Sequence, residues 1–310
     1  MTAPPVARAF WLALLAAAVG SAAPPEGEDL TEKTAQNAAA LRTLQETGQV
    51  FFREDFESDD WHKRFFDHCG LKDERLTLTS EAARVCAGRK SLQCKLPRGK
   101  EAVACASLWF PAGYEKVHLR WYTRFGEDFD QGNLMHFVGL AGVAGTNRYA
   151  GMGQAGIRPT GYDRFTTGFE PWRAWGKSQA PGAMNFYSYF PGMKGDRHMK
   201  GKYWGNQFMP QKPQVPTRGK WHCFEVMLKA NDVGRTNGEQ AAWIDGRLYA
   251  HFAGIEWRKS ADVKIKRVYL GVYIHDNPQE NVVLFDEMAL STGYIGPRQG
   301  DAPGRSPARP

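Results

Sequence analysis

The sequence predicts an all-β protein: an antiparallel two-sheet β-sandwich with a short N-terminal helix. Three observations carry this. Strict apolar/polar alternation recurs from residue 50 onward, glycine stands at 33 of 310 residues, and aromatic residues make up 13% of the chain, including 10 Trp. Abundant glycine among aromatic, alternating segments suits many short strands joined by tight turns, and it excludes a helical bundle. A charged fraction of 24% beside 42% hydrophobic residues excludes a disordered chain and a multi-span membrane protein.

The chain divides into four stretches. Residues 1–23 read as a signal peptide, with Arg8 before the apolar run Phe10 to Val19 and small residues Gly20-Ser21-Ala22 at a cleavage site. The run is too short to span a bilayer, so the expected product is secreted or periplasmic, with no membrane contact after cleavage; an uncleaved anchor is the alternative. Residues 24–48 form a Pro/Glu/Gly linker and an Ala-rich helix, Leu30 to Glu46, closed by Gly48. Residues 49–297 are the sandwich, and the Pro-rich residues 298–310 a disordered tail.

Within the sandwich, Lys116 to Gly126 sends Val117, Leu119, Trp121 and Phe125 to one side and His118, Arg120, Tyr122 and Arg124 to the other. Met184 to Phe190 separates Phe186 and Phe190 from Asn185, Tyr187 and Tyr189. Arg267 to His275 separates Leu270, Val272 and Ile274 from Tyr269, Tyr273 and His275. Asp245-Gly246 marks a two-residue hairpin turn inside Ala241 to Phe252, and Trp221 to Lys229 and Val282 to Leu290 add strands.

The polar sides of these strands carry Arg, Tyr, Asn and His. Aromatic rings cover sugar C–H faces and polar edges hold hydroxyls and carboxylates, so such a face is suited to sugars; it is equally an ordinary solvated face. Arg120, Tyr122, Arg124, Asn133, Asn185, Tyr273 and His275 are the candidate sugar-binding residues, joined by the basic loop residues Lys194, Arg197 and Lys200. The formal charge of +7 favours an acidic partner, although Arg8 and the tail arginines account for part of it. Without a nucleic-acid-reading motif, an acidic polysaccharide is the expected partner, and no nucleic acid.

Other motifs fail on context. Gly151-Met152-Gly153-Gln154-Ala155-Gly156 matches a dinucleotide fingerprint, but no apolar strand enters it and Pro159 and Gly161 break any helix after it. There is no GxSxG or HExxH motif. Asp286 and Glu287 are adjacent and point to opposite faces, which disfavours retaining glycoside hydrolysis. No cofactor and no metal site are predicted. The five cysteines become disulfide candidates on export. A hairpin around Pro97 to Lys100 would set Cys94 opposite Cys105, leaving Cys69 to pair with Cys86 and Cys223 over; five reduced, buried thiols are the alternative.

The order Phe169-Glu170-Pro171-Trp172-Arg173-Ala174-Trp175, Asn185-Phe186-Tyr187-Ser188-Tyr189-Phe190-Pro191, Gly219-Lys220-Trp221, Ala242-Trp243-Ile244-Asp245-Gly246 and Phe285-Asp286-Glu287 resembles the alginate-lyase-like fourteenth polysaccharide lyase family over roughly residues 50–296. The resemblance implies a concanavalin-A-type jelly roll and β-elimination on a uronic-acid polysaccharide. It makes Tyr187 and Tyr189 the acid and base, with His136 assisting, jobs that a phenol can do if nearby cations lower its pKa. Two positions depart from the family pattern. His136 stands where a catalytic lysine is expected, and Glu170-Pro171-Trp172-Arg173 replaces a Ser-x-Arg element, leaving Arg173 or Arg124 as the candidate carboxylate holder. A non-catalytic carbohydrate-binding, lectin-like domain is the alternative function. A structural protein that docks partners through its N-terminal helix is a third. Oligomeric state is left open.

Overall fold

The computed structural model describes residues 27–301. The expected signal peptide and most of the expected tail lie outside them. In chain order the first strands are β1 (Glu28–Asp29), β2 (Val50–Glu54), β3 (Asp67–Cys69), β4 (Leu76–Thr79), β5 (Ser91–Leu96) and β6 (Gly99–Tyr114). Next come β7 (Lys116–Phe125), β8 (Met135–His136), β9 (Val138–Val143), β10 (Arg164–Trp172), β11 (Ala183–Tyr189) and β12 (Asn206–Phe208). The chain closes with β13 (Trp221–Lys229), β14 (Gly238–Ile244), β15 (Arg247–Ile255), β16 (Lys264–Asn277) and β17 (Asn281–Ser291).

These strands form two antiparallel sheets. The nine-stranded sheet runs β1-β15-β14-β13-β7-β17-β5-β4, with β2 also on β17; the eight-stranded sheet runs β12-β11-β10-β9-β16-β6-β3, with β8 also on β16. The apolar sides of the alternating strands meet between the sheets, where Trp121 packs on Phe137 and Phe224, and Phe169 on Phe186 and Tyr249. Burying such rings supplies most of the driving force, about 25 cal/mol per Å² of apolar surface removed from water. One polar cluster crosses the core: Thr167 and Ser188 from one sheet share Gln240 of the other. The all-β sandwich expected from the alternation is thus the observed fold.

Several local expectations are corrected. The N-terminal helix is two helices, α1 (Thr31–Gln36) and α2 (Ala38–Leu44), because Asn37 leaves helical geometry and accepts from Ala39 and Ala40 N–H as an N-cap. The preceding linker is not free either: Glu28 and Asp29 pair with Ala253 and Phe252, and Thr34 hydrogen-bonds His251. At the other end, residues 298–301 are packed rather than disordered, with Arg298 N–H donating to the Tyr122 hydroxyl and that hydroxyl to Asp301.

The cysteines also differ from expectation. The turn at Pro97 carries the chain from one sheet to the other, so β5 and β6 are not a hairpin and Cys94 does not face Cys105. Cys69 lies across from Cys105 instead, Cys86 packs with Tyr122 and Cys223, and all five thiols are free.

Among the described residues no helix is long and apolar enough to cross a membrane.

Candidate functional site

A solvent-open cleft lies on the outer face of the eight-stranded sheet. Strand register builds its floor. Tyr187 of β11 lies opposite Gly168 of β10, Gly168 opposite Gly139 of β9, and Gly139 opposite Tyr269 of β16. Directly opposed residues share a face, so two glycines separate two tyrosines and leave a trough between the rings. A side chain there would fill it: a Cβ on Gly139 would sit 2.7 Å from the Thr167 carbonyl, and one on Gly168 3.1 Å from Glu170 Oε2.

One strand repeat further along, Thr166 lies between Tyr189 and Ala141, and Ala141 opposite Arg267. The Tyr187 and Tyr189 rings meet edge to face with centroids 5.7 Å apart, and their hydroxyls are hydrogen-bonded to each other. Both are only half-buried, yet burial pushes both phenols above their ordinary pKa, Tyr187 the further. The lowering by nearby cations that the acid and base roles called for is not seen; burial raises both phenols instead.

His136 stands beside this pair, its ring centroid 5.3 Å from that of Tyr187. Its Nδ1 is 3.1 Å from Glu170 Oε2 and its Nε2 is 3.2 Å from His275 Nε2. A carboxylate oxygen accepts, so Glu170 favours a donating Nδ1 on His136 and leaves its Nε2 facing His275. Burial, followed by the neighbouring His136, holds His275 down at about 3, so it is neutral at physiological pH. Tyr273 stacks on His136 and meets His275 edge-on. His136, Tyr187, Tyr189, Tyr273 and His275 are thus brought together.

The remaining candidates are placed elsewhere. Arg120, Tyr122 and Arg124 point to the outer side of β7 in the other sheet. Arg120 donates to the Glu287 and Gly296 carbonyls and Tyr122 is bound by residues 298–301, while Arg124 donates to the Gly219 and Ala83 carbonyls. They do not reach the cleft. Arg173 does not line it either: it donates to Asp130 at 2.5 Å, to the Gly132 carbonyl at 2.9 Å and to the Ser178 carbonyl at 3.2 Å. Asn133 accepts from Arg173 N–H through its carbonyl and from Trp175 N–H through its side chain. Asn185 is buried beside Glu170 and donates to its carbonyl, with Oδ1 unpartnered. Lys194, Arg197 and Lys200 are exposed on the loop after β11.

Two cations that line the cleft were not among the sequence candidates, Arg164 and Arg267. Both are buried, and burial lowers both, Arg267 to about 10. Arg267 is in phase with Tyr269 and Tyr273, and Arg164 with Gly168 and Glu170, so alternation was a usable signal for each. Both hold the glycine-rich loop that the dinucleotide pattern had marked. Arg267 donates to the Arg148 and Ala150 carbonyls at 3.0 and 2.9 Å, Arg164 to the Ile157 carbonyl at 2.7 Å, and Gly156 N–H points at the Tyr189 hydroxyl at 3.5 Å. Gly151 to Ala155 thereby form one wall of the cleft. Gly156 turns at φ 75°, a backbone that L side chains rarely adopt. Among the described residues no group of three or more His, Cys, Asp or Glu side chains could hold a metal ion.

No protein-family model matches this sequence, and no curated protein matches it. Solved structures do. The PL-14 alginate lyase from Aplysia kurodai superimposes with a TM-score of 0.60 at 13% identity, covering 79% of this chain and 99% of that one. A mutant of alginate lyase Aly36B in complex with an alginate trisaccharide gives 0.54 at 15% identity, covering 80% and 97%. Alginate lyase vAL-1 from Chlorella virus gives 0.53 at 13% identity, covering 74% and 99%. The chain has an alginate-lyase-like fold.

Proposed function

We propose that this protein is an exported lyase that cleaves a uronic-acid polysaccharide by β-elimination in the cleft of the eight-stranded sheet. The observation that carries the reading is the convergence of a phenol pair, an imidazole on a carboxylate and two guanidiniums around a glycine-floored trough. The alginate trisaccharide named for the Aly36B complex supports an acidic sugar as the ligand.

The chemistry assigns the groups. Arg164 and Arg267 hold the uronate carboxylate and neutralise the charge that develops as the C5 proton leaves. His136, oriented by Glu170, takes that proton on Nε2, the nitrogen that His275 otherwise contacts. The freed electron pair forms the C4–C5 double bond as the C4–O bond breaks, and Tyr187 gives its proton to the leaving oxygen. An upward-shifted phenol suits this donor role, since it rests protonated. Tyr189 hydrogen-bonds Tyr187 and steadies its hydroxyl.

The test is ultraviolet absorbance of an unsaturated uronate during incubation with alginate, glucuronan and related acidic polymers. The wild-type protein should raise it and Tyr187→Phe should not. Silence of the wild type across the panel overturns the reading. One observation favours the second reading, a non-catalytic carbohydrate-binding module: both guanidiniums are already occupied by carbonyls of the glycine-rich loop. Polymer binding without absorbance would select it.

A further inference from the structure

Trp175 is 50% exposed, a large apolar ring left in water beside the cleft strand β10. Its ring meets Trp172 edge-on, with centroids 5.3 Å apart and planes at 82°. Trp172 ends β10 in phase with Gly168 and Glu170, so it belongs to the face that floors the cleft. Four residues separate it from Gly168, about 13 Å along a strand and the reach of a few sugar rings.

The backbone that presents Trp175 is held against its preference. Ala174 and Trp175 are consecutive non-glycine residues at φ 48° and 56°, each in the left-handed region. Such conformations persist only where the surroundings over-determine them, and they gather at ligand sites. Here the surroundings are Asn133 and Arg173. Asn133 Oδ1 accepts from Trp175 N–H at 2.7 Å, and its carbonyl accepts from Arg173 N–H at 3.3 Å. The Arg173 guanidinium ties the turn to Asp130, Gly132 and Ser178.

We propose that Trp172 and Trp175 form a sugar-stacking shelf at the end of the cleft beyond Glu170, a distal subsite for the ring face of a polysaccharide chain whose reacting bond lies at Tyr187. This rests on the reading that the cleft takes a polysaccharide, and it does not require that the bond be broken. The shelf carries no charge and recognises the apolar C–H face of a pyranose, while Arg164 and Arg267 at the opposite end of β10 supply the demand for a carboxylate. Asn133 and Arg173 are positioning residues for Trp175.

The experiment is calorimetric binding of size-fractionated alginate and glucuronan oligosaccharides, from disaccharide to hexasaccharide, to the intact protein and its variants, with thermal unfolding as a check on folding. Trp175→Ala should weaken hexasaccharide binding about tenfold, the size of one aromatic contact, and leave disaccharide binding unchanged. Trp175→Tyr should restore most of the loss. Asn133→Ala should reproduce the length-dependent loss and Asn133→Asp, which keeps the acceptor, should not. A loss equal at every chain length, no loss, or a wild-type protein that binds no oligosaccharide overturns the shelf. Length-dependent binding with no absorbance change keeps the shelf and overturns the lyase.

Discussion

His136 and Glu170 meet across two strands of one sheet, Nδ1 to Oε2 at 3.1 Å, with both side chains buried at the base of the cleft. The pair can act as a proton-accepting unit, because a carboxylate that holds Nδ1 leaves Nε2, the nitrogen beside His275 Nε2, as the accepting atom.

Glu170→Gln should therefore lower kcat of elimination by about a hundredfold while KM changes little, as a positioned proton acceptor contributes on the order of 10² to 10⁴. The amide keeps the size of the carboxylate but can present its NH₂ to Nδ1 and favour the wrong tautomer. Steady-state kinetics on alginate or glucuronan would check this. A variant with wild-type kcat shows that Glu170 only fills space.

Arg267→Ala should release the glycine-rich loop. The substitution leaves the Arg148 and Ala150 carbonyls without the guanidinium that now binds both. Limited proteolysis should then cut within residues 145–158 faster than in the wild type, and binding of acidic oligosaccharides should weaken. Arg267→Lys restores the charge but offers a point donor in place of a fork, so it should rescue binding more than protection. Equal cleavage of all three proteins would remove Arg267 as the anchor.

The fold was legible because side-chain alternation reports directly which side of a strand is buried, and Asp245-Gly246 reports a hairpin turn. Alternation does not report which sheet a strand joins. The polar side of β7 has the composition of a sugar-binding face, yet β7 sits in the other sheet and its Arg120 and Tyr122 are covered by residues 294–301. The same blindness made a hairpin of Cys94 and Cys105, whose connecting turn passes between sheets. Arg173 was read from the altered Ser-x-Arg element of the family resemblance, but β10 ends at Trp172 and the positive φ at Ala174 turns the chain away from the strand direction. The His136–Glu170 contact joins residues far apart in sequence, and nothing local encodes it.

Acid should destabilise the fold through His275. Its folded pKa, about 3, lies below its ordinary value of 6.5, so between those values the unfolded chain binds more protons than the native one. Stability is then complete above pH 6.5 and falls as pH drops toward 3. The midpoint of thermal unfolding should decline from pH 7 to pH 5 in the wild type and decline less in His275→Gln, which cannot ionise. Parallel declines would place the acid sensitivity in other groups.

Gly246→Ala should cost about 1 kcal/mol of stability and leave the cleft untouched. Asp245 and Gly246 join β14 to β15 at φ 51° and 77°, the two left-handed residues of a type I′ turn. Asp245 also accepts from Cys223 N–H and contacts His222 Nδ1, both at 2.9 Å, so the turn is fixed from its first residue while its second needs freedom from a side chain. A Cβ at Gly246 would in addition press on Pro297 Cγ at 2.9 Å, in the segment that covers the outer face of the nine-stranded sheet. Chemical denaturation should show a lower midpoint with an unchanged slope, and oligosaccharide affinity below the transition should equal that of the wild type. Gly246→Asn, which tolerates the left-handed region better, should lose less. If Ala and Asn are equally damaging, the contact with Pro297 rather than backbone geometry sets the cost.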